Sequence, residues 1–195
     1  MPPKAKFTRE EIIKAAFDMT RTEGIEAVTA RALGTKLGSS ARPIFSVFES
    51  MDEVQKEVLA AAKKLYSEYI HDGLHQKELP AFQGVGVQYI RFAIEEPKLF
   101  QLLFMSKRPE KPGVTHILPM IDENYPQILS SVKNCYGFDG EQAERLYRHL
   151  WIYSHGIAVL CATNMCSFTP TEIGRMLTEM GSAIIKEFKG ETKHD

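Results

Sequence analysis

Apolar residues recur at spacings of three and four along almost the whole chain, with little strict alternation and no β-branched runs bounded by turns. That period puts apolar side chains on one face of successive helices, so the pattern predicts an all-α fold and no strand. The first segment shows it well, with Ile12, Ile13, Ala16 and Phe17 on one inward face. Thr8 and Glu11 stand as a capping box, in which each side chain accepts the backbone N–H of the other residue and starts the helix there. Gly24 stands where a left-handed residue ends a helix, with Ile25 able to fold back onto the last turn.

The same reading continues downstream. A short helix over 29–36, with Thr29 as N-cap, is followed by the turn Leu37-Gly38-Ser39-Ser40 and a further short helix through Phe48. A second capping box, Ser50-Met51-Asp52-Glu53, opens a long helix carrying Val54, Val58, Ala61, Leu65 and Tyr69. It is expected to run to about Asp72 and stop at Gly73, with 75–80 as a connection. Helices are then expected over 79–95 and 97–106, with Pro97 in a first turn where its missing N–H costs nothing. Residues 107–113 read as a loop. A helix over 114–136 carries Pro119 and Pro126, which kink or interrupt it, and Gly137 ends it. Helices over 139–167 and 170–188 look like an antiparallel hairpin, and 190–195 like a frayed end. The expected division is a helix-turn-helix domain at 1–49, a connecting helix at 50–73 and a helical ligand-binding and dimerisation domain at 74–195.

Composition narrows the function classes. With 195 residues, 44% hydrophobic and 25% charged, general disorder and fibrous repeats are excluded. A net charge of −1 gives no global pull toward membranes or nucleic acid, so distribution carries the argument. Residues 1–48 hold eight basic against five acidic side chains, a surplus of three, which leaves −4 for residues 49–195. Cys135, Cys161 and Cys166 are odd in number and widely placed, which points to free thiols in a reducing compartment and a cytoplasmic protein. Met1-Pro2-Pro3-Lys4-Ala5-Lys6 has no apolar signal core behind it. The most apolar stretch, 151–162, contains His155 and is shorter than the roughly eighteen residues of a membrane span, so no membrane partner is expected.

The informative segment is 24–48. Two short helices around a Gly-containing turn make the helix-turn-helix geometry that sets a helix in the DNA major groove. Arg31, Lys36 and Arg42 lie between Thr29 and Phe48 with no acid among them, so phosphates meet no local repulsion. Thr29, Ser39 and Ser40 add hydroxyls and helix N-termini that suit phosphate. Ala32, Leu33, Leu37, Ile44 and Phe48 supply a small packing wedge. The same pattern also fits a generic three-helix bundle with a polar face.

The order of residues 8–60 resembles the tetracycline-repressor family of transcription regulators. The resemblance rests on Ile12-Ile13-Lys14-Ala15-Ala16, Gly24-Ile25-Glu26-Ala27-Val28-Thr29, Arg31-Ala32-Leu33-Gly34-Thr35-Lys36-Leu37-Gly38, Ile44-Phe45-Ser46-Val47-Phe48 and Ser50-Met51-Asp52-Glu53-Val54. It implies a ligand-responsive regulator, a repressor that binds inverted-repeat double-stranded DNA as a homodimer and is released by a small apolar or amphipathic effector. By this resemblance Thr29 and Arg31 touch phosphates or the groove edge; Lys36 and Ser39 are DNA-binding candidates by their charge and hydroxyl. Ser40, Ala41, Arg42, Pro43, Phe45 and Ser46 then lie on the recognition helix. Arg42 is the base reader by chemistry, since arginine pairs bidentately with guanine O6 and N7. Lys4 and Lys6 form either a DNA-following arm or a solvated tail. Ser39 replaces a usual apolar residue, Phe45 a usual tyrosine whose hydroxyl is lost, and Pro43 fits only a first helical turn.

The remainder carries no diagnostic motif. Phe92, Phe100, Phe104, Met105, Met120, Tyr125 and Trp151 are candidates to line an effector pocket, with Gln88, Tyr89, Asn124 and His155 as polar orienting groups. Ordinary core packing is the competing reading for each. The terminal hairpin brings small residues such as Gly156 and Gly181 beside Ile157, Leu160, Ile173, Leu177, Met180 and Ile184, a set that fits a two-fold four-helix bundle. Enzyme features are thin, and no cofactor, metal or catalytic residue is expected. His71 and His75 lack a third ligand, and Gly84-Val85-Gly86 lacks the strand a phosphate loop needs. Cys161 and Cys166, five apart on a helix, face different ways. The alternative function is a helical dimer that binds only a ligand or protein partner, without specific DNA binding.

Overall fold

The computed structural model describes residues 6–107 and 111–191; among them no strand occurs, and the fold is all-α. The expectations for Lys4 and for the frayed end beyond residue 191 fall outside these residues. No helix among the described residues is long and apolar enough to cross a membrane. The chain forms two compact units, Met1–Tyr66 with Glu96–Ser106, and Ser67–Glu95 with Lys107–Asp195.

The first unit contains α1 (Arg9–Glu23), α2 (Ala30–Lys36), most of α3 (Met51–His75) and α5 (Pro97–Phe100). α5 runs on as a wider π-type turn, Gln101–Met105. The capping box forms as expected: Glu11 N–H donates to Thr8 Oγ1 at 3.2 Å and Thr8 N–H to Glu11 Oε2 at 2.8 Å. Ile12, Ala16 and Met19 of α1 close over Val28, Leu33, Ile44 and Phe48, and over Val54 and Val58 of α3. Full burial of an apolar side chain of this size contributes about 1.5–3 kcal/mol, against about 0–1 for an exposed ion pair, so this core and not the surface charges holds the unit. One charged pair reaches inward. The buried Glu96 carboxylate accepts from Arg21 Nε at 2.8 Å and from Arg21 Nη2, joining the last turns of α1 to the start of α5.

In the second unit α4 (Ala81–Glu95) packs on α7 (Tyr125–Tyr136), α8 (Gly140–Ala162) and α9 (Pro170–Glu191), with the short α6 (Ile117–Ile121) beside α7. Its buried side chains include Phe82, Val85, Ile90, Ala93, Ile128, Val132, Leu146 and Ile157. Phe82 meets Tyr147 edge-on at 5.7 Å, and Arg145 lies over the Phe188 ring at 4.5 Å.

Several local expectations are corrected. The short helix through Phe48 is not an α-helix but a turn leading into a single 3-10 turn, Ile44–Ser46. Pro43 has no N–H to donate back and disfavours helical backbone at Arg42, so only i→i+3 bonds form, such as Ile44 N–H to Ala41 O at 3.1 Å. Gly24 adopts φ +94°, ψ 164°, a glycine-only extended conformation rather than the left-handed helical one, because the chain enters a 3-10 turn at once. In the second capping box Ser50 caps Glu53 N–H at 3.3 Å, but Glu53 takes the N–H of Glu49 at 2.9 Å. The 114–136 helix is split into α6 and α7, with Pro126 in the first turn of α7. α8 ends at Ala162, not 167. Asn164 turns left-handed (φ 55°), and Met165 and Cys166 N–H both reach Leu160 O, so Cys166 is off the helix that carries Cys161.

Gly73 does not stop α3, which continues to His75. It is buried against Gly84 of α4, and the two backbones touch: a Cβ on Gly84 would stand 2.2 Å from Gly73 O, and one on Gly73 would stand 2.8 Å from the Gly84 carbonyl. Gly84→Ala is therefore expected to lower stability by about 1–3 kcal/mol, the cost of overpacking against rigid backbone. Gly113→Ala, with open space around it, is expected to stay within about 0.5 kcal/mol. Urea or thermal unfolding of the two variants decides the matter, and equal midpoints would refute the close crossing.

Candidate functional site

The candidate interface starts at Thr29, whose hydroxyl caps α2 by accepting Ala32 N–H at 3.2 Å. α2 closes in a Schellman arrangement. Gly38 takes φ +65° and donates to Thr35 O at 3.0 Å, while Ser39 N–H reaches Gly34 O at 2.9 Å. The chain beyond the turn then folds back onto Gly34 itself, where a Cβ would stand 2.8 Å from the Ser40 carbonyl carbon and 2.9 Å from Ala41 N. Ile44, fully buried, anchors the next turn in the core.

With Ile44 inward, the candidate DNA-binding side chains face solvent. Thr29, Arg31, Lys36, Ser40, Arg42, Phe45 and Ser46 are exposed, while Ser39, Ala41 and Pro43 are half-buried. Ser46 Oγ donates to Pro43 O at 2.6 Å, and Thr35 Oγ1 to Arg31 O at 3.1 Å, so these hydroxyls are used locally. Lys6 Nζ donates to Ser39 Oγ at 3.0 Å and lies 5.3 Å from the Phe7 ring centroid. Ser39 thus holds a cation beside the turn. Arg9 braces the same unit: its guanidinium pairs with Glu53 at 2.8 Å and Glu57 at 2.6 Å and covers the Phe48 ring at 4.3 Å. The Glu49 N–H, and after it Arg9, hold the Glu53 carboxyl below its usual range.

The candidate effector residues fall into separate groups. Phe100, Phe104 and Met105 belong to the first unit, where Phe104 meets Phe100 at 5.1 Å and Tyr66 at 5.0 Å, and Met105 is exposed. The others belong to the second unit. Tyr89, buried, is hydrogen-bonded through its hydroxyl to His155 Nδ1 at 2.8 Å, and the Trp151 ring stacks on His155 at 4.9 Å. Trp151 Nε1 is buried without a well-aligned acceptor among the described residues. Buried Asp122 accepts Asn124 N–H at 2.8 Å and Asn124 Nδ2 at 3.0 Å, and Asn124 Nδ2 also donates to Ser67 Oγ at 3.3 Å. Tyr125 stacks on Tyr147 at 5.7 Å and Phe92 meets Tyr69 at 5.2 Å, whereas Gln88 is half-buried and Met120 exposed. Burial, and then the nearby Asp122 charge, push the Tyr89 and Tyr147 hydroxyls well above the usual tyrosine range.

Of the candidate dimer residues, Ile157, Ile173 and Gly181 are buried within the chain itself. Leu160, Leu177, Met180 and Ile184 are half-buried, and Gly156 is exposed one turn from Ile152, which is 48% exposed. Among the described residues no group of three His, Cys, Asp or Glu is placed to hold a metal, and His71 and His75 stack on each other at 4.1 Å.

Residues 82–183 match the tetracyclin repressor-like C-terminal domain family. That match spans more than half of the chain, and the chain belongs to the tetracycline-repressor family as a transcriptional regulator. An HTH-type transcriptional regulator of Mycobacterium tuberculosis, itself uncharacterised, is 23% identical over 197 residues, covering 97% of this chain and 85% of the relative. A transcriptional regulator from Rhodococcus sp. Rha1 superposes with a TM-score of 0.56 at 14% identity, covering 93% of this chain and 97% of that one, a likeness of fold.

Sequence reasoning did not single out Asp122, Tyr147 or the Lys6–Ser39 contact. The last joins residues 33 positions apart, and no local pattern announces it. His155 gives a testable consequence. Burial penalises its charged form and lowers its pKa. Well above pH 6.5 the folded and unfolded states are both neutral there, and as pH falls through about 6.5 the unfolded state takes up the proton first. Stability is therefore expected to fall between pH 7.5 and 5.5, and His155→Gln to flatten that slope. Urea unfolding across this range checks it, and an unchanged slope in the variant would refute it.

Proposed function

We propose that the chain is a ligand-responsive repressor that acts in the cytoplasm as a homodimer on inverted-repeat operator DNA and is released by a small apolar or amphipathic effector. One observation carries the DNA reading: an exposed face from Thr29 to Ser46, basic at Arg31, Lys36 and Arg42 and free of acids, built on α2, its turn and the 3-10 turn Ile44–Ser46 in a member of this family. Arg31 and Lys36 neutralise phosphates, with Lys6 joining them at the turn, while Arg42 reads a guanine edge. Residues 1–49 serve as the DNA-binding domain, 50–73 as the connection, and 74–195 as the effector-binding and dimerisation part. Gly156, Leu160, Leu177, Met180 and Ile184 meet their two-fold mates, which sets the two recognition segments about 34–36 Å apart, one turn of DNA. The buried polar group around Tyr89, Trp151, His155 and Asp122 orients the effector, and its binding shifts the dimer toward a spacing that DNA does not match.

Selection of the purified protein against random duplex DNA, then titration of the enriched site at two salt concentrations, tests this. The expected result is an inverted repeat bound more weakly at higher salt. Arg42→Ala should cost about 1–3 kcal/mol and relax specificity at one position of each half-site, whereas Lys36→Ala should weaken all sequences alike and reduce the salt slope by about one. No enrichment, with helix content and dimer intact, would overturn the DNA reading in favour of a dimer that binds only a ligand or a protein partner.

A further inference from the structure

The recognition stretch presents few side chains. Because Pro43 limits it to one 3-10 turn, residues 44–46 cannot spread contacts along a groove as a full helix does. Ile44 is fully buried, Val47 half-buried, and the Ser46 hydroxyl donates to Pro43 O at 2.6 Å. Arg42 and Phe45 remain the large exposed groups. Phe45 is 48% exposed although it follows a residue that is 0% exposed, so the turn divides its neighbours sharply between core and solvent. Pro43 at φ −61° and the Ser46 bond hold that arrangement stiff.

A phenyl ring has no hydrogen-bonding group for a phosphate or a base edge. The apolar group that the major groove offers is the C5-methyl of thymine, which aromatic and small apolar side chains contact. We propose that Phe45, with half-buried Ala41 beside the same turn, reads a thymine methyl at a fixed position of each operator half-site, next to the base contacted by Arg42. This rests on the DNA-binding reading above and makes Phe45 a specificity-determining residue of it.

The test replaces thymines one at a time by deoxyuridine in the selected operator, which removes only the methyl. At one thymine position per half-site, uracil is expected to weaken wild-type binding about three- to fivefold, the effect of one buried methyl. All other thymines should be insensitive. Phe45→Ala should bind the thymine operator more weakly and lose the thymine–uracil difference. Phe45→Leu, a second variant that keeps an apolar side chain, should retain part of that difference. Equal affinity for thymine and uracil at every position overturns the inference while the DNA-binding reading stands. So does a full uracil penalty surviving in Phe45→Ala, since the methyl would then be read by another group. Failure to select any operator overturns both.

Discussion

The backbone contact between Gly34 and the chain at Ser40 and Ala41 is the constraint on which the candidate interface depends. A side chain at 34 would force the segment after the turn away from α2. Ile44 would then leave the core it shares with Ile12, Leu33 and Val54, and the exposed neighbours of Ile44 would lose their platform. Gly38 serves the same end by different means, since its positive φ lets the α2 carbonyls find donors within the turn. The interface is thus set by two glycines and one buried isoleucine, none of which need touch DNA.

The second unit uses the same device at Gly73 and Gly84, where two helices cross at backbone distance. The interior of this unit also holds polar side chains. Asp122, Tyr89, Tyr147 and Ser154 are all buried; the Tyr89 hydroxyl is hydrogen-bonded to His155 Nδ1, and Asp122 accepts the Asn124 N–H. A buried carboxylate and paired hydroxyls hold their geometry only when each bond is made, because an unpaired polar group inside costs about 1–3 kcal/mol. Such a core is specific rather than merely cohesive.

How much of this was legible in the sequence depends on the range of the interaction. Thr8 and Glu11 are three residues apart and compete with water only, so their capping box could be read directly. The absence of acids from 29 to 48 is likewise a property of composition and survives folding. Gly73 was misread as a helix stop because its role lies in Gly84, eleven residues on, and a glycine needed for close approach looks the same in sequence as one needed for a turn. The helix expected through Phe48 failed for a local reason, since Pro43 denies helical backbone to Arg42 while Ile44 and Phe48 keep a helix-like spacing. The aromatic residues of the effector candidates could not be sorted in advance. Tyr89 and Phe104 have the same helical period, and only the folded chain separates them into different units.

The chain has a single tryptophan, and it stacks on His155 inside the second unit. An indole in contact with an imidazole that bonds a buried tyrosine is an optical probe already wired to the polar core. Because a protonated imidazole against the indole changes its surroundings, its emission is expected to follow the protonation of that imidazole. The state of this part of the core is therefore observable in the unlabelled chain.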